Sequence, residues 1–165
     1  MGEYTDFHLA ARFRGFIGER NFLMETLDGE ILACADSSWA YIDTKTGHPV
    51  KASEEERAVY PIEEKLDMKP LGRKIRIPEE RQEMGCFTVR QYHLDSNHHV
   101  NNAQYIRLSQ EYIPADFQVQ RLRAEYKRQA VLGDKIFPLV SKTEDSYVVA
   151  LCNEEKEPYA VVEFA

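Results

Sequence analysis

The chain has 165 residues, 43% of them apolar and 30% charged, enough for one ordinary domain or two small fused ones and enough to bury a core. Lys and Arg total 21 against 28 Asp and Glu, and the net charge of −7 excludes a domain that coats nucleic acid with its whole surface. No apolar run approaches the roughly 18 residues of a membrane-spanning helix. The N-terminus has no apolar segment of the secretory kind. Met1-Gly2 starts a myristoylation pattern, but Asp6 stands where Ser or Thr is required. Cys34, Cys86 and Cys152 are scattered, without a CxxC pair. That spacing predicts reduced thiols in the cytoplasm and neither a disulfide framework nor a zinc site.

In chain order, the alternation of Phe7–Arg14 predicts a half-buried strand. Arg20–Leu27 and Ile31–Ile42 predict two more, joined by a hairpin at Asp28-Gly29, and the third carries the single tryptophan, Trp39. Asp43–Pro49 is a turn. Ser53 and Glu56 have capping-box spacing, so a short helix covers Glu54–Arg57, and Pro61 opens a second helical turn. Residues 67–84 hold two prolines and mixed charges with no sustained period, and read as an extended linker.

The second half opens with a strand over Cys86–Tyr92 and a polar turn over 93–99. A helix follows over Val100–Ile113, with Tyr105, Ile106, Leu108, Tyr112 and Ile113 on one face and Gln104, Arg107 and Glu111 on the other. Pro114 stops it. Strands then cover 117–132, 135–143, 147–153 and 158–164. Strand, helix and meander in that order predict an α+β unit with the helix on a curved sheet. The first three strands look like the last three, with Gly2-Glu3 in place of Gly133-Asp134. The chain therefore reads as a partial first unit (1–66), a linker (67–84) and a second unit (85–165). The first unit would lack a leading strand and helix, leaving apolar surface that predicts a homo-oligomer.

His93-Leu94-Asp95-Ser96-Asn97-His98-His99-Val100-Asn101-Asn102 gathers three of the five histidines at a helix mouth, where free N–H groups and partial positive charge favour an oxyanion. His and Asp there are suited to moving protons near neutral pH. Three readings stay open on the residues alone: a helix cap with a solvated turn, a catalytic turn, or a metal site. The metal reading is the weakest, because adjacent His98 and His99 point apart and no cysteine or second carboxylate cluster lies nearby. The alternating stretch Arg121–Ala130 puts Arg121, Arg123, Glu125, Lys127 and Gln129 on one face, either solvated or facing the helix mouth or an anionic partner. No GxSxG, GxGxxG or Walker A motif is present, so a serine hydrolase of that type and nucleotide binding have no support.

Asp95-x-Asn97-x-His99-Val100-Asn101-Asn102 leading into Tyr105, and Leu122-x-x-Glu125-Tyr126-Lys127-Arg128 beyond it, resemble the acyl-[acyl-carrier-protein] (acyl-ACP) thioesterase family of plants and bacteria. Gly15-Phe16-x-Gly18-x-Arg20-Asn21-Phe22 and Trp39-x-x-x-Asp43-x-x-x-Gly47-x-Pro49 resemble its bacterial branch. The resemblance implies a tandem pair of hotdog domains, here with an incomplete first repeat. It implies hydrolysis of fatty acyl-ACP without a cofactor or metal. Asp95, Asn97 and His99 would be catalytic, with Gln129 where plant members carry Glu. Ala130 stands where those members carry Cys, so no thiol nucleophile is available there. Val100, Asn101, Asn102 and Tyr105 would meet the substrate, with oxyanion donors among the N–H groups near Val100 and Asn101. Arg121, Arg123, Lys127 and Arg128 would meet the carrier protein. The alternatives are an acyl-CoA thioesterase, and a non-catalytic acyl-binding hotdog or inactive fragment.

Overall fold

The structure is a computed structural model that describes residues 4–60, 62–69 and 71–165. Two compact units divide the chain, Met1–Pro70 and Leu71–Ala165. The readings at Met1-Gly2, Gly2-Glu3 and Pro61, and the side-chain alternation over Phe7–Ala11, lie outside the described residues.

In the first unit β1 (Tyr4–Arg14), β2 (Ile17–Thr26) and β3 (Ile31–Ala40) form an antiparallel sheet in the order β1-β2-β3. The predicted hairpin at Asp28-Gly29 forms, with Gly29 at φ +85°, a conformation that costs glycine little. Gly18 has a different reason to be glycine. A Cβ there would lie 2.4 Å from the Trp39 ring, which also meets Phe13 edge-on at 5.7 Å between centroids. Asn21 is fully buried and satisfied: its amide donates to Asp36 (3.1 Å) and its carbonyl accepts from the Leu66 N–H (3.0 Å). Leu66 is thereby tied to the sheet. The capping box starts α1 (Glu54–Ala58) as the spacing predicts, with both reciprocal bonds present. Residues 63–66, past Pro61, form no second helical turn. The whole of β3 from Ile31 to Asp36 is exposed, and Leu27, Ile31 and Leu32 stand more than half open to solvent.

The second unit has β4 (Gln82–Glu83), β5 (Phe87–Thr88), α2 (Asn102–Gln110), β6 (Leu122–Tyr126), β7 (Lys135–Lys142), β8 (Tyr147–Cys152) and β9 (Pro158–Phe164). The sheet order is β4-β7-β8-β9-β6, and β5 also pairs with β7. Strand β8 shows why the unit is stable. Val149 and Leu151 point into a core shared with Tyr105, Ile136, Val162 and Phe164, against which Ile106, Leu108, Tyr112 and Ile113 of the predicted helix face also pack. Val148, Ala150 and Cys152 point the other way, into a second cluster with Ile75, Leu139 and Val161. Both faces of the strand are covered, one by α2 and the other by the segment around Ile75. Residues 71–84, read from sequence within a linker, thus fold with the second unit. Ile75 donates its N–H to Glu125 (2.9 Å), and the Met84 N–H bonds the Pro138 carbonyl (2.9 Å).

Three predicted elements are shorter than expected. The strand over Cys86–Tyr92 pairs only at Phe87–Thr88 and gives way to a 3₁₀ turn over Gln91–His93. The strand expected over 117–132 pairs with β9 only from Leu122 to Tyr126. Beyond it, the N–H groups of Lys127 and Arg128 converge on one acceptor, the Tyr159 carbonyl (2.8 and 3.1 Å), and the chain leaves the sheet. The helix begins at Asn102 because Asn101, with an extended backbone, caps it; before the cap, the Val100 N–H bonds the Ala130 carbonyl (2.9 Å). Past Gln110 it tightens through bonds from Tyr112 to Ser109 and from Ile113 to Gln110 before Pro114. The fold is sheet-dominated α+β. Among the described residues no helix is long and apolar enough to cross a membrane, and the three cysteines are unpaired.

Candidate active site

The polar segment before α2 folds into a tight turn that Asp95 closes on itself. Asp95 donates its N–H to the His99 carbonyl (2.8 Å), and its carbonyl accepts from His98 (3.1 Å). Its carboxylate Oδ1 accepts from the N–H groups of Asn97 (2.8 Å) and His99 (3.3 Å). One carboxylate thus holds the backbones of both other predicted catalytic residues. His98 takes φ +62°, which turns the chain between Asn97 and His99. Asn97 and His98 are exposed; Asp95 and His99 are half-buried.

The helix cap is Asn101, whose side-chain oxygen accepts from the Ala103 N–H (2.8 Å). The capping reading therefore does not apply to Asp95 or Asn97. The N–H groups near Val100 and Asn101, expected as oxyanion donors, are both committed: Val100 to the Ala130 carbonyl and Asn101 to the His93 carbonyl, each at 2.9 Å. Among the described residues the next N–H, that of Asn102, has no protein acceptor. The Asn102 carbonyl accepts from the Tyr126 hydroxyl (3.2 Å).

Gln129 reaches this turn through the backbone. His99 pairs antiparallel with Val131, and the same register sets exposed Gln129 level with Asn101. Tyr105, expected at the substrate, is 2% exposed, and its hydroxyl accepts from the Ala130 N–H (3.0 Å). It braces the site from behind. The neighbouring Asp134 accepts on Oδ2 from the Val131 N–H (3.0 Å) and from the Tyr159 hydroxyl (3.2 Å). Burial, then the Asp134 charge, pushes the Tyr159 hydroxyl up to about 12, so it keeps its proton as a donor at neutral pH. Sequence reading missed Asp134 and Tyr159; the Gly133-Asp134 turn was visible, but its partner lies 25 residues away.

His93 belongs to the wall, not to the turn. It is 4% exposed, with Nδ1 accepting from the Arg90 N–H (3.0 Å) and its ring edge-on to Tyr92. It borders a groove of about 540 Å³ with Cys86, Phe87, Leu108, Glu111 and Tyr112. Burial, then the Arg90 charge, holds its pKa below the ordinary 6.5. The folded chain therefore binds this proton less tightly than the unfolded chain. The stabilising contribution is complete above pH 6.5 and is lost as pH falls from there through the lower folded value. The expected result is a steeper fall of the urea midpoint with acidification below pH 6.5 in the parent than in His93→Gln. Parallel curves would remove His93 as the cause.

The basic face is mostly self-neutralised. Arg123 pairs with Glu163 (2.7 Å) and donates to the carbonyls of Gly72 and Lys74. Lys127 pairs with Glu125 (2.7 Å) and Arg128 with Glu157. Burial pushes the Glu125 carboxyl up, but the Lys127 ammonium and the Ile75 N–H outweigh it and hold it below its usual range. Arg121 is exposed, its backbone paired with Ala165. Among the described residues no group of three or more His, Cys, Asp or Glu is placed to hold a metal ion.

Residues 77–158 match the acyl-ACP thioesterase C-terminal domain. Oleoyl-acyl carrier protein thioesterase 1, chloroplastic, of Arabidopsis thaliana is 25% identical over 162 residues, covering 87% of this chain and 44% of that protein. The chain thus spans less than half of that relative's length. An acyl-ACP thioesterase from Bacteroides thetaiotaomicron superposes with a TM-score of 0.86 at 19% identity, covering 98% of this chain and 67% of that one. The 12:0-ACP thioesterase from Umbellularia californica gives 0.80 at 20%, covering 98% and 66%. The fold is the hotdog fold that the sequence resemblance implied. Residues 77–158, which hold the turn, its helix and strands β6 to β8, are thus similar to the acyl-ACP thioesterase C-terminal domain.

Proposed function

We propose that the chain hydrolyses fatty acyl-ACP thioesters to free fatty acid and carrier thiol. The observation that carries this reading is the turn itself, in which the Asp95 carboxylate binds the N–H groups of Asn97 and His99 within the segment matched to the family. Water adds to the thioester carbonyl, the C–S bond breaks, and the sulfur leaves as thiol once protonated. His99 orients the water and takes its proton. Asn97 holds the carbonyl or the water through its amide. Asp95, whose Oδ1 holds the turn, orients the pair and balances charge. The Asn102 N–H, and not those of Val100 and Asn101, faces the developing oxyanion. Gln129 orients the water, since an amide hydrogen-bonds but takes no proton at neutral pH. On the carrier side, Arg121 is the cation that supports docking, because the other three expected cations already have carboxylate partners.

The test is turnover by the purified chain on matched acyl-ACP and acyl-CoA. Faster hydrolysis of acyl-ACP is expected. A preference for acyl-CoA would favour the other carrier, and no hydrolysis of either would favour an acyl-binding role. The exposed apolar residues of the first unit, Leu27, Ile31 and Leu32, support self-association in the same preparation, read by sedimentation velocity. A single monomeric species at micromolar concentration would count against it.

A further inference from the structure

Four N–H groups of the short segment from Lys127 to Val131 have protein acceptors, three of them on Tyr159 and Asp134. The Tyr159 carbonyl accepts from Lys127 and Arg128 at one end. At the other end the Tyr159 hydroxyl bonds Asp134, which holds the Val131 N–H on the same carboxylate oxygen. Between these anchors lies Gln129, exposed and outside the strand. Val131 in turn is the antiparallel partner of His99. The Asp134 backbone is itself fixed to the core, because its carbonyl accepts from Val89, which is 1% exposed (2.8 Å).

We infer that Asp134 and Tyr159 form a positioning pair that sets the backbone of His99 and the segment bearing Gln129. The inference rests on the thioesterase reading above for its effect on rate, and on geometry alone for its effect on placement. A shift of about 1 Å at the reacting group is enough to cost up to 10²-fold in rate, so a pair that fixes this register matters although neither member meets the thioester. Tyr159→Phe removes one hydroxyl and keeps the ring that packs on the core, making it the mild variant. Asp134→Ala removes both bonds of the carboxylate, and Asp134→Asn restores an acceptor for Val131.

The experiment measures kcat and KM on acyl-ACP together with the imidazole NMR signals of His99 in the whole chain. Tyr159→Phe and Asp134→Ala should lower kcat about tenfold or more with KM little changed, and should move the His99 signals. Asp134→Asn should recover most of both. In a His99→Ala background, Asp134→Ala should add little further loss, because the pair acts through His99. Unchanged kcat and unchanged His99 signals in Tyr159→Phe would overturn the inference. So would a loss in Asp134→Ala that follows only the fraction folded and is not recovered by Asn. A wild-type rate in His99→Ala would instead end the catalytic assignment of His99, and no hydrolysis by the parent would sink the thioesterase reading. In either case, the His99 signals in Tyr159→Phe still decide the placement.

Discussion

Replacing His99 with alanine should lower kcat for acyl-ACP hydrolysis about 10²-fold, the usual loss when acid–base help is removed. The expectation rests on where the side chain stands. Its backbone is held twice, by the Asp95 carboxylate and by pairing with Val131, whereas among the described residues its imidazole has no protein partner. The ring is therefore available to water while its root is fixed. Because it is half-buried and closes no core contact, the urea midpoint should move little. Asp95→Asn is the informative companion. It keeps an acceptor for the Asn97 and His99 N–H groups and removes the charge, so a fall in rate there reads charge balance and not collapse of the turn. Wild-type rates in both variants, on a preparation shown to hydrolyse acyl-ACP, would end the catalytic assignment of this turn.

Phe164→Ala should destabilise the second unit by about 3–5 kcal/mol, the range for emptying a fully buried aromatic position. Phe164 is 0% exposed although it is the penultimate residue of the chain. It stands opposite Leu122 on one side and Tyr147 on the other, so β9 binds both neighbours at this point. The ring lies in the same cluster as Tyr105, which stands behind the Asp95–His99 turn. Urea unfolding followed by tyrosine fluorescence measures the loss. A cost below about 1 kcal/mol would show that the end of β9 frays and that the core closes without it. The rate per folded molecule should change far less than in His99→Ala, since Phe164 makes no bond to the turn.

The elements that are local in sequence were legible without the structure. Polar breaks between apolar runs marked β7, β8 and β9 almost to their ends, because a strand such as β8 is buried on both faces and reads as one apolar run. The capping box of Ser53 and Glu56 was legible because both of its bonds close within four residues. The Asp95–Asn97–His99 turn was legible as a cluster for the same reason: its bonds span two to four residues. Its reading as a catalytic turn came from the motif and not from the spacing.

What the sequence left open depends on partners far along the chain. Asp95, Asn97 and Asn101 are all plausible caps by residue type; the choice falls on Asn101, whose backbone is extended at ψ 139° while its side chain takes the Ala103 N–H. The alternation of Arg121–Ala130 continues past Tyr126, yet the strand stops there because a single carbonyl, that of Tyr159, receives two consecutive N–H groups. The basic face looked free because Glu163 and Glu157 lie 40 and 29 residues from their partners. By itself, then, the sequence determined the strand periods, the helix and the polar turn, since propensity and short-range hydrogen bonds act within a few residues. Only the tertiary structure decided which N–H groups remain open to an oxyanion, which cations remain unpaired, and that Tyr105, Asp134 and Tyr159 stand behind the turn. Each of those outcomes is a competition for one acceptor between groups that the chain brings together only when the sheet closes.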